Sequence, residues 1–330
     1  MRLFLSWAGC WFFLASAPAQ SLELFHFEEP AMGTLFRIEV YAPSRGQAAA
    51  AAAAAWHRVR ELDDIFSDYK PDSELMRFCH QPAGTKTPIS ADLYAILIRS
   101  GEITQASHGA FDVTVGPLKR LWRQSCRDGR LPSAMQLSTA RALTGWDKVQ
   151  LNPEQTASLA ISGMRLDLGG IAKGYAADAT LKVLRERGLE RALVAASGDV
   201  VAGESPPGQL GWRIGVASLS APTSPETTVI LRHRAISTSG DTVQFAAIGG
   251  TTYSHILDPK SGLGLTVRRF VNVIAPSSVQ ADALATALSV AGPEGVTLPP
   301  GVSFRFEERA DPQGNGDARV VLKDWPHPND

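Results

Sequence analysis

The stretch that decides the fold reads Asp167-Leu-Gly-Gly-Ile-Ala-Lys-Gly-Tyr-Ala-Ala-Asp178. We expect it to begin as the end of an apolar strand, to turn at the paired glycines, and to continue directly as a helix. Beyond the turn, one side of the pattern is apolar at helical spacing, and its members are Gly174, Ala177, Leu181 and Leu184. Gly188 stands where a left-handed C-cap would end this helix.

The glycine turn at the start of this helix favours an anionic ligand. Glycines let backbone N–H groups come close to a ligand, and the N-terminus of a helix attracts phosphate. Lys173 adds a cation at this point, and Asp167 adds a hydrogen-bond acceptor. The turn matches neither a P-loop nor a G-x-G-x-x-G fingerprint, and an ordinary strand–turn–helix connection has the same pattern. Alone, it suggests phosphate binding and no particular ligand.

Composition places the chain among ordinary globular proteins. It has 330 residues, a formal net charge of -1 and 44% hydrophobic residues, which is enough for a substantial core. The near-neutral charge gives no electrostatic case for nucleic acid as a partner. No linker and no internal repeat divides the chain, so we expect one domain over residues 20–330.

The first nineteen residues are predicted to be a signal peptide. Met1-Arg2 supplies a short positive start, residues 3–14 are almost wholly apolar, and Ala17-Pro-Ala19 offers small residues for cleavage. The apolar run falls short of the roughly 20 residues that span a bilayer. We therefore expect an exported, periplasmic protein. A lipid anchor at Cys10 is the weaker alternative, because Trp7 fits a lipoprotein cleavage site poorly.

Further elements follow from hydrophobic periodicity, caps and turn residues. Helices are expected from Gln47 to Ile65, from Ser90 to Ser107, and from Ser277 or Ser278 to Ala291. Gly109 to Leu118 is predicted to be extended, with Asp112 and Thr114 on one side, and residues 121–146 to be a loop-rich, basic surface segment. The predicted strands are Phe25 to Tyr41 with a bulge or close backbone approach at Gly33, Ala192 to Val201 broken at Ser197-Gly198-Asp199, Trp212 to Val216, Thr228 to Ser237 before a turn at Thr238 to Asp241, Thr252 to Pro259, Val271 to Ala275, Val302 to Arg305 and Ala318 to Leu322.

Two groups of polar residues could carry chemistry. Asp282 and Thr286 are separated by one helical turn, so both side chains point the same way, and their oxygens suit Mg²⁺. A polar stripe on an apolar helix has the same spacing. His255, in a predicted strand, could move a proton near neutral pH, although a histidine there can also be structural. Ser239 lacks the G-x-S-x-G frame of a hydrolase nucleophile, which argues against a serine hydrolase.

Seven short segments, taken together in their order along the chain, are more informative than either group of polar residues alone. They are Met32-Gly-Thr34, Ser73-Glu-Leu75, Gly109 to Leu118, Asp167 to Asp178, Ser239-Gly240, His255-Ile-Leu-Asp-Pro259 and Ala281-Asp-Ala-Leu-Ala-Thr286. With these segments the chain resembles the ApbE family, the FAD:protein FMN transferases, from about Leu24 to Arg309.

The resemblance implies an α+β fold, a single domain in which mixed or antiparallel sheets pack against helices. It also implies Mg²⁺-dependent transfer of FMN from FAD to a threonine or serine hydroxyl of a target protein through a phosphoester bond, with release of AMP. The target would be an exported or membrane-anchored flavoprotein, such as a subunit of an electron-transfer complex. The FAD-contacting positions implied by the family are Met32, Tyr69, Ala110, Phe111, Asp112, Asp167, Lys173 and Leu257. The implied metal site is Gly170, through its carbonyl, with Asp282 and Thr286, and the implied catalytic residue is His255, with Asp112 as an alternative base.

The sequence departs from the family's pattern at four places. Cys79 stands where the family usually has asparagine, Ser197 replaces a glycine, and Asp241-Thr-Val243 replaces aromatic and basic residues; Ala285 replaces a further acid found in some members. Cys79 keeps open a second function, in which water replaces the acceptor hydroxyl and FAD is hydrolysed to FMN and AMP. A non-enzymatic, flavin-binding protein is the third alternative. The sequence also leaves open a disulfide between Cys79 and Cys126, the oligomeric state and the preferred divalent ion.

Overall fold

The computed structural model describes residues 21–221, 224–240, 245–309 and 318–326. Its α-helices are α1 (Arg45–Phe66), α2 (Glu74–Cys79), α3 (Ala91–Ala106), α4 (Gly116–Asp128), α5 (Ala134–Ala142), α6 (Ala172–Glu186) and α7 (Ser278–Ala291). Its strands are β1 (Glu23–Ala31), β2 (Thr34–Ala42), β3 (Thr87–Pro88), β4 (Val149–Asn152), β5 (Thr156–Leu159), β6 (Ala192–Ala196), β7 (Asp199–Ala202), β8 (Trp212–Val216), β9 (Thr227–Leu231), β10 (Ala235–Gly240), β11 (Phe245–Ile248), β12 (Thr251–Ser254), β13 (Arg268–Ala275), β14 (Ser303–Arg309) and β15 (Arg319–Lys323). Two short 3₁₀ turns cover Val113–Val115 and Trp146–Lys148.

A central sheet organises the fold. Its eight strands lie in the order β1-β2-β6-β7-β10-β13-β14-β15, and every neighbouring pair is antiparallel. Helices α1, α6 and α7 pack side by side against one face of this sheet. On the other face, Leu193 of β6 and Ile274 of β13 join the β8–β9 ribbon in a second apolar cluster around Trp212. The predicted α+β class with sheets packed against helices is therefore confirmed.

Three long helices, α1, α3 and α7, lie where their sequence signals place them. The alanine-rich helix α1 buries Ala48, Ala51, Ala52 and Ala55 on its inner face, which is the expected use of that tract. Helix α3 begins after Ser90, whose hydroxyl accepts a hydrogen bond from the backbone N–H of Leu93. Helix α7 begins after Ser277 and ends before Gly292.

Helix α6 also matches its prediction, but the prediction of a strand directly before it was wrong. Residues 164–168 pair with no strand; the N–H of Asp167 donates instead to the carbonyl of Val113 in a 3₁₀ turn, at 2.8 Å. A 3₁₀ turn presents no row of carbonyls, so no ladder extends from it. Gly188, with φ of +77°, lies just past the end of α6 in the left-handed region, as predicted.

The segment after Gly109 was mispredicted. It is not extended: the 3₁₀ turn Val113–Val115 leads into α4, and residues 121–146 contain most of α4 and all of α5 instead of loop. Pro117 lies in the first turn of α4 and Gly129 ends it at φ of +65°, while Ser133 and Gln136 form a capping box for α5. These signals were present in the sequence, but the high density of basic residues concealed the apolar side of α4.

Three strand boundaries also differ from expectation. Met32 and Gly33, with φ of +50° and +72°, form a two-residue hairpin turn between β1 and β2, so Gly33 is not a bulge. The strand predicted from Thr228 to Ser237 divides into β9 and β10 at a turn where His233 has φ of +50°. Strand β10 continues to Gly240, where a turn was predicted, because its pairing with β13 extends that far, to Phe270.

Several predictions fall on residues outside the described ranges. These are the signal peptide at residues 1–19, Cys10, and the segment Asp241-Thr-Val243. In the parts of the chain that the structure does describe, none of the helices combines the length and the apolar character that crossing a membrane requires.

Candidate active site

The close approach of α6 and α7 builds the centre of the site. A Cβ atom on Gly174 would lie 2.3 Å from the carbonyl oxygen of Ser278 and 2.9 Å from Cβ of Asp282, so only glycine allows this packing. The carboxylate of Asp178, one turn further along α6, accepts from the N–H groups of Ser278 and Val279, both at 2.9 Å. Asp178 therefore caps α7 in place of a side-chain cap from Ser277, and it fixes the register of the two helices.

Lys173 lies between two buried carboxylates. Its ammonium is 3.0 Å from Oδ2 of Asp199 and 3.4 Å from Oδ2 of Asp282. Asp282 Oδ2 also accepts from the N–H of Gly174 at 3.0 Å, and Asp199 Oδ1 accepts from the hydroxyl of Ser237 at 2.5 Å. The ammonium is thus held at the first turn of α6, beside the glycine turn.

The charges of this cluster do not cancel. Burial raises the pKa of Asp282, and the neighbouring Asp199 raises it further, while Lys173 opposes both effects. Burial tends to lower the pKa of Lys173, but the two carboxylates outweigh it and the pKa lies above its ordinary value. With both carboxylates ionised, the cluster has one more negative charge than Lys173 neutralises, and either a proton on Asp282 or an additional cation would balance it.

Gly170 and Thr286 are neighbours at the glycine turn. A Cβ atom on Gly170 would lie 3.0 Å from the hydroxyl oxygen of Thr286 and 3.4 Å from Cε2 of Phe111. The structure therefore brings together Gly170 and two residues of α7, Thr286 and Asp282. In the described ranges, no group of three or more His, Cys, Asp or Glu side chains could hold a metal ion. The hard oxygen atoms of Asp282, Thr286 and the Gly170 carbonyl are of the kind that Mg²⁺ prefers.

A second cluster joins Asp167 to Tyr69 through Arg123, a residue of α4. Asp167 accepts from the N–H of Gly169 at 2.9 Å and from the guanidinium of Arg123 at 3.0 Å. Arg123 also donates to Asp68 at 2.6 Å, and its guanidinium lies 4.6 Å from the centroid of the Tyr69 ring. The ring of Tyr69 is otherwise open to solvent, since the residue is 76% exposed.

The carboxylate of Asp112 is hydrogen-bonded to a residue two positions along the chain. It accepts from the N–H and the hydroxyl of Thr114, at 2.8 and 2.7 Å, and burial raises its pKa. Its neighbours Ala110 and Phe111 are buried. Asp112 and Thr114 do interact, as the sequence suggested, but through a 3₁₀ turn and not through an extended strand.

The remaining predicted residues lie around this centre. Met32 occupies the tip of the β1–β2 hairpin and packs against the main core. His255 is exposed and follows β12 instead of lying within a strand, since β12 ends at Ser254. The ammonium of Lys119 donates to the carbonyl of His255 at 3.0 Å, and the side chain of Leu257 is buried against α4. The histidine loop is thereby held on the same helix that carries Arg123.

The comparisons with known proteins identify the family. The model of the ApbE family matches residues 32–298. The chain belongs to the ApbE family. Among its relatives, the FAD:protein FMN transferase of Klebsiella pneumoniae is 32% identical over 80% of this chain and 77% of the relative. That of Vibrio cholerae is 31% identical over 87% of this chain and 85% of the relative.

Solved structures of the ApbE family have the same fold. The flavin transferase ApbE from Vibrio cholerae superimposes with a TM-score of 0.81 at 27% identity, covering 92% of this chain and 98% of that one. The apo flavinyl transferase ApbE from Pseudomonas stutzeri gives a TM-score of 0.79 at 29% identity, covering 92% and 95%. The family resemblance predicted from the sequence is confirmed.

Sequence reasoning missed four residues that contact the predicted site. Asp199 was noted only as part of a broken strand, although its place beside a motif glycine was a usable signal. Arg123 was assigned to a loop, and neither Lys119 nor Asp68 carried a signal of its own. Both cysteines that the structure describes are free thiols: Cys79 is buried and Cys126 exposed. The question of a disulfide between them is thereby answered.

Proposed function

We propose that this protein transfers FMN from FAD to a threonine or serine hydroxyl of another protein, in an Mg²⁺-dependent reaction that forms a phosphoester bond and releases AMP. The observation that carries the proposal is the cluster at the glycine turn, where Lys173, Asp282 and Thr286 surround the start of α6. Membership of the ApbE family, in which the relatives are named FAD:protein FMN transferases, supports the same activity.

The residues present fit a bound Mg²⁺. Asp282 would provide the carboxylate, Thr286 the hydroxyl and Gly170 the backbone carbonyl, all hard oxygen ligands. When both carboxylates are ionised, Asp199 and Asp282 have one more negative charge than Lys173 neutralises, and a divalent cation would compensate it. When bound, Mg²⁺ would neutralise charge that develops on the phosphate oxygens.

The chain's own groups account for binding and charge stabilisation. The positive end of the α6 dipole and the ammonium of Lys173 would receive the pyrophosphate of FAD. The acceptor oxygen attacks the phosphorus on the FMN side, a new P–O bond forms, and the P–O bond to AMP breaks with its electron pair leaving on AMP. His255 would take the proton from the acceptor hydroxyl, or hold that hydroxyl in line.

The acceptor is proposed to be an exported or membrane-anchored flavoprotein, such as a subunit of an electron-transfer complex. The signal-peptide pattern of residues 1–19 supports export of this enzyme to the periplasm, where it would meet such a target. The exposure of His255 is consistent with a macromolecular acceptor, because a protein hydroxyl can approach it from solvent.

Hydrolysis of FAD remains a second candidate because of Cys79. Its sulfur accepts from the N–H of Leu166 at 3.4 Å, one residue before Asp167. Cysteine in place of the family's usual asparagine, next to a predicted FAD contact, would change how well water is excluded from the reacting phosphorus. Water in place of the acceptor hydroxyl would give free FMN and AMP.

Mass spectrometry of an acceptor protein tests the proposal. The chain from Gln20 onward is incubated with FAD, Mg²⁺ and exported flavoprotein domains from the same organism. We expect a mass increase of one FMN on an acceptor, lost in His255→Ala and in Asp282→Ala, each loss at least roughly 10²-fold in rate. Free FMN and AMP without a labelled acceptor would favour the hydrolase, and FAD that stays intact would reject both activities.

A further inference from the structure

Arg123 is the feature of this region that the proposed reaction does not yet use. It lies on α4, and its guanidinium contacts three residues from two other segments: Asp68, Tyr69 and Asp167. Two of these, Tyr69 and Asp167, are predicted FAD contacts. We propose that Arg123 is a positioning residue of the FAD site, which fixes the Tyr69 ring and the Asp167 carboxylate in the places where FAD meets them.

The first step of the argument is the geometry of the guanidinium. One terminal nitrogen donates to Asp68 at 2.6 Å, and the other donates to Asp167 at 3.0 Å. A planar fork can make both bonds at once, whereas a lysine ammonium has no such fixed pair of donors. Arg123 therefore ties the segment after α1 to the segment before α6.

The second step is the state of Tyr69. An exposed tyrosine in a loop has several rotamers, and ordering it on binding would cost affinity. The Arg123 guanidinium covers one face of the ring at 4.6 Å, a cation–π distance. Since the residue is 76% exposed, the rest of the ring stays open. An aromatic ring of FAD, the flavin or the adenine, could stack on it without having to order it first.

The third step is electrostatic. The side chain of Asp167 is 8% exposed and that of Asp68 is 20% exposed, so two poorly solvated carboxylates lie near each other. Burial raises the pKa of Asp68, the charge of Asp167 raises it further, and Arg123 opposes both effects. Without Arg123, FAD would bring its phosphates towards the adjacent glycine turn against two uncompensated negative charges.

The test measures FAD affinity separately from turnover. FAD is titrated against the enzyme from Gln20 onward, without acceptor and with EDTA present, and binding is followed by flavin fluorescence. We expect Arg123→Ala to raise the Kd for FAD at least tenfold and to raise KM similarly, while kcat at saturating FAD changes less than threefold. Arg123→Lys should lie between the wild type and Arg123→Ala. The matched control is Arg127→Ala, one turn along α4, because Arg127 is exposed and donates to Gln124 on the same helix; its Kd should equal that of the wild type.

A double-mutant cycle tests whether Arg123 acts through the ring. In the Tyr69→Ala background, Arg123→Ala should raise the Kd at least threefold less than it does in the wild type, because its effect depends partly on the ring. Equal effects in both backgrounds would overturn the proposal, as would a folded Arg123→Ala enzyme with wild-type Kd. If Arg123→Ala does not fold, Asp68→Asn removes one arm of the bridge, and we expect at least a threefold higher Kd. An unchanged Kd in that variant would overturn the proposal.

This inference rests on the proposed function, because it assigns a role to Arg123 in binding FAD. The two fail in different ways. A wild-type enzyme that binds no FAD would reject the proposed function itself. A wild-type enzyme that binds and cleaves FAD, with an Arg123→Ala variant that binds it equally well, would reject only the role of Arg123.

Discussion

The substitution Gly174→Ala tests whether the contact of α6 with α7 builds the site. The added methyl group would lie 2.3 Å from the carbonyl oxygen of Ser278 and 2.6 Å from its carbonyl carbon. Both are backbone atoms, which cannot turn aside as the end of a side chain can. The two helices must therefore separate by about 1 Å to restore an ordinary contact distance, since atoms in contact need roughly 3.5 Å.

The stability cost of this change follows from two opposing effects. Overpacking of a close helix contact costs about 1–3 kcal/mol, and the backbone clash places this case near the upper end. Replacing glycine with alanine in a helix returns about 0.5–1 kcal/mol. We expect a net loss of about 2 kcal/mol in the free energy of unfolding. At about 2–4 °C per kcal/mol, Tm falls by roughly 4–8 °C.

The effect on activity should exceed the effect on stability. Asp282 accepts from the N–H of Gly174, and Thr286 touches Gly170, so a shift of α7 displaces both proposed metal ligands from the glycine turn. A displacement of about 1 Å can cost roughly 10²-fold in rate. The matched control is Gly46→Ala in the exposed first turn of α1, where the nearest atom would be 4.0 Å away.

Urea unfolding, followed by tryptophan fluorescence, gives the stability of both variants, and FAD cleavage at saturating FAD and Mg²⁺ gives their activity. Gly46→Ala should be as stable as the wild type or slightly more stable, with full activity. A Gly174→Ala enzyme that matches the wild type in both measurements would refute the claim that this contact holds the site together.

Three further predictions follow from the buried groups. Burial raises the pKa of Asp178 to about 6. Because this value lies above the pKa in the unfolded chain, the protonated carboxyl stabilises the folded state at low pH, and this part of the free energy of unfolding is lost as pH rises from about 4 through 6. From pH 4 to 7 the wild type should therefore lose about 2 kcal/mol more than Asp178→Asn, by urea unfolding at each pH, and parallel curves would contradict this. Cys126 should react with a thiol reagent in the native protein at pH 8, whereas Cys79, whose pKa burial raises to about 11, should react only after denaturation; labelling of both at once would show that Cys79 is accessible. Asp282→Asn should abolish Mg²⁺ binding in calorimetric titrations with FAD present, while Thr286→Val weakens it, and unchanged binding in Asp282→Asn would exclude that residue as a ligand.

The parts of the fold that could be predicted are those with local signals. Ser90 marks the start of α3 and Gly188 the end of α6, because each satisfies backbone groups within a few residues of itself. Helix α4 was missed although Pro117 and Gly129 bound it, since its exposed basic residues were taken as the mark of a loop. The strand boundary at Gly240 depends on pairing with Phe270, a partner in a later strand that a single sequence does not display. The boundary at Ser254 is set by the short β11–β12 hairpin, in which Ser254 pairs with Phe245.

The candidate site also has a part that local patterns could predict and a part that depends on tertiary contacts. Asp282 and Thr286 could be paired from their spacing on one helix, and Lys173 could be placed at the glycine turn. Their meeting depends on α6 lying against α7 at Gly174, which is a contact across about a hundred residues. Arg123 reaches the site only through tertiary contacts, so no local pattern could assign it, whereas Asp199 had one usable local signal, its place beside a motif glycine.

The ratio of AMP released to FMN attached tests the central claim most directly. Both products are measured for the wild-type enzyme with FAD and Mg²⁺, in the presence and absence of an acceptor flavoprotein. The account predicts one AMP for each FMN attached to the acceptor, with little AMP when the acceptor is left out. AMP released at the same rate with and without acceptor, together with free FMN, would show that water is the true acceptor and would contradict the account.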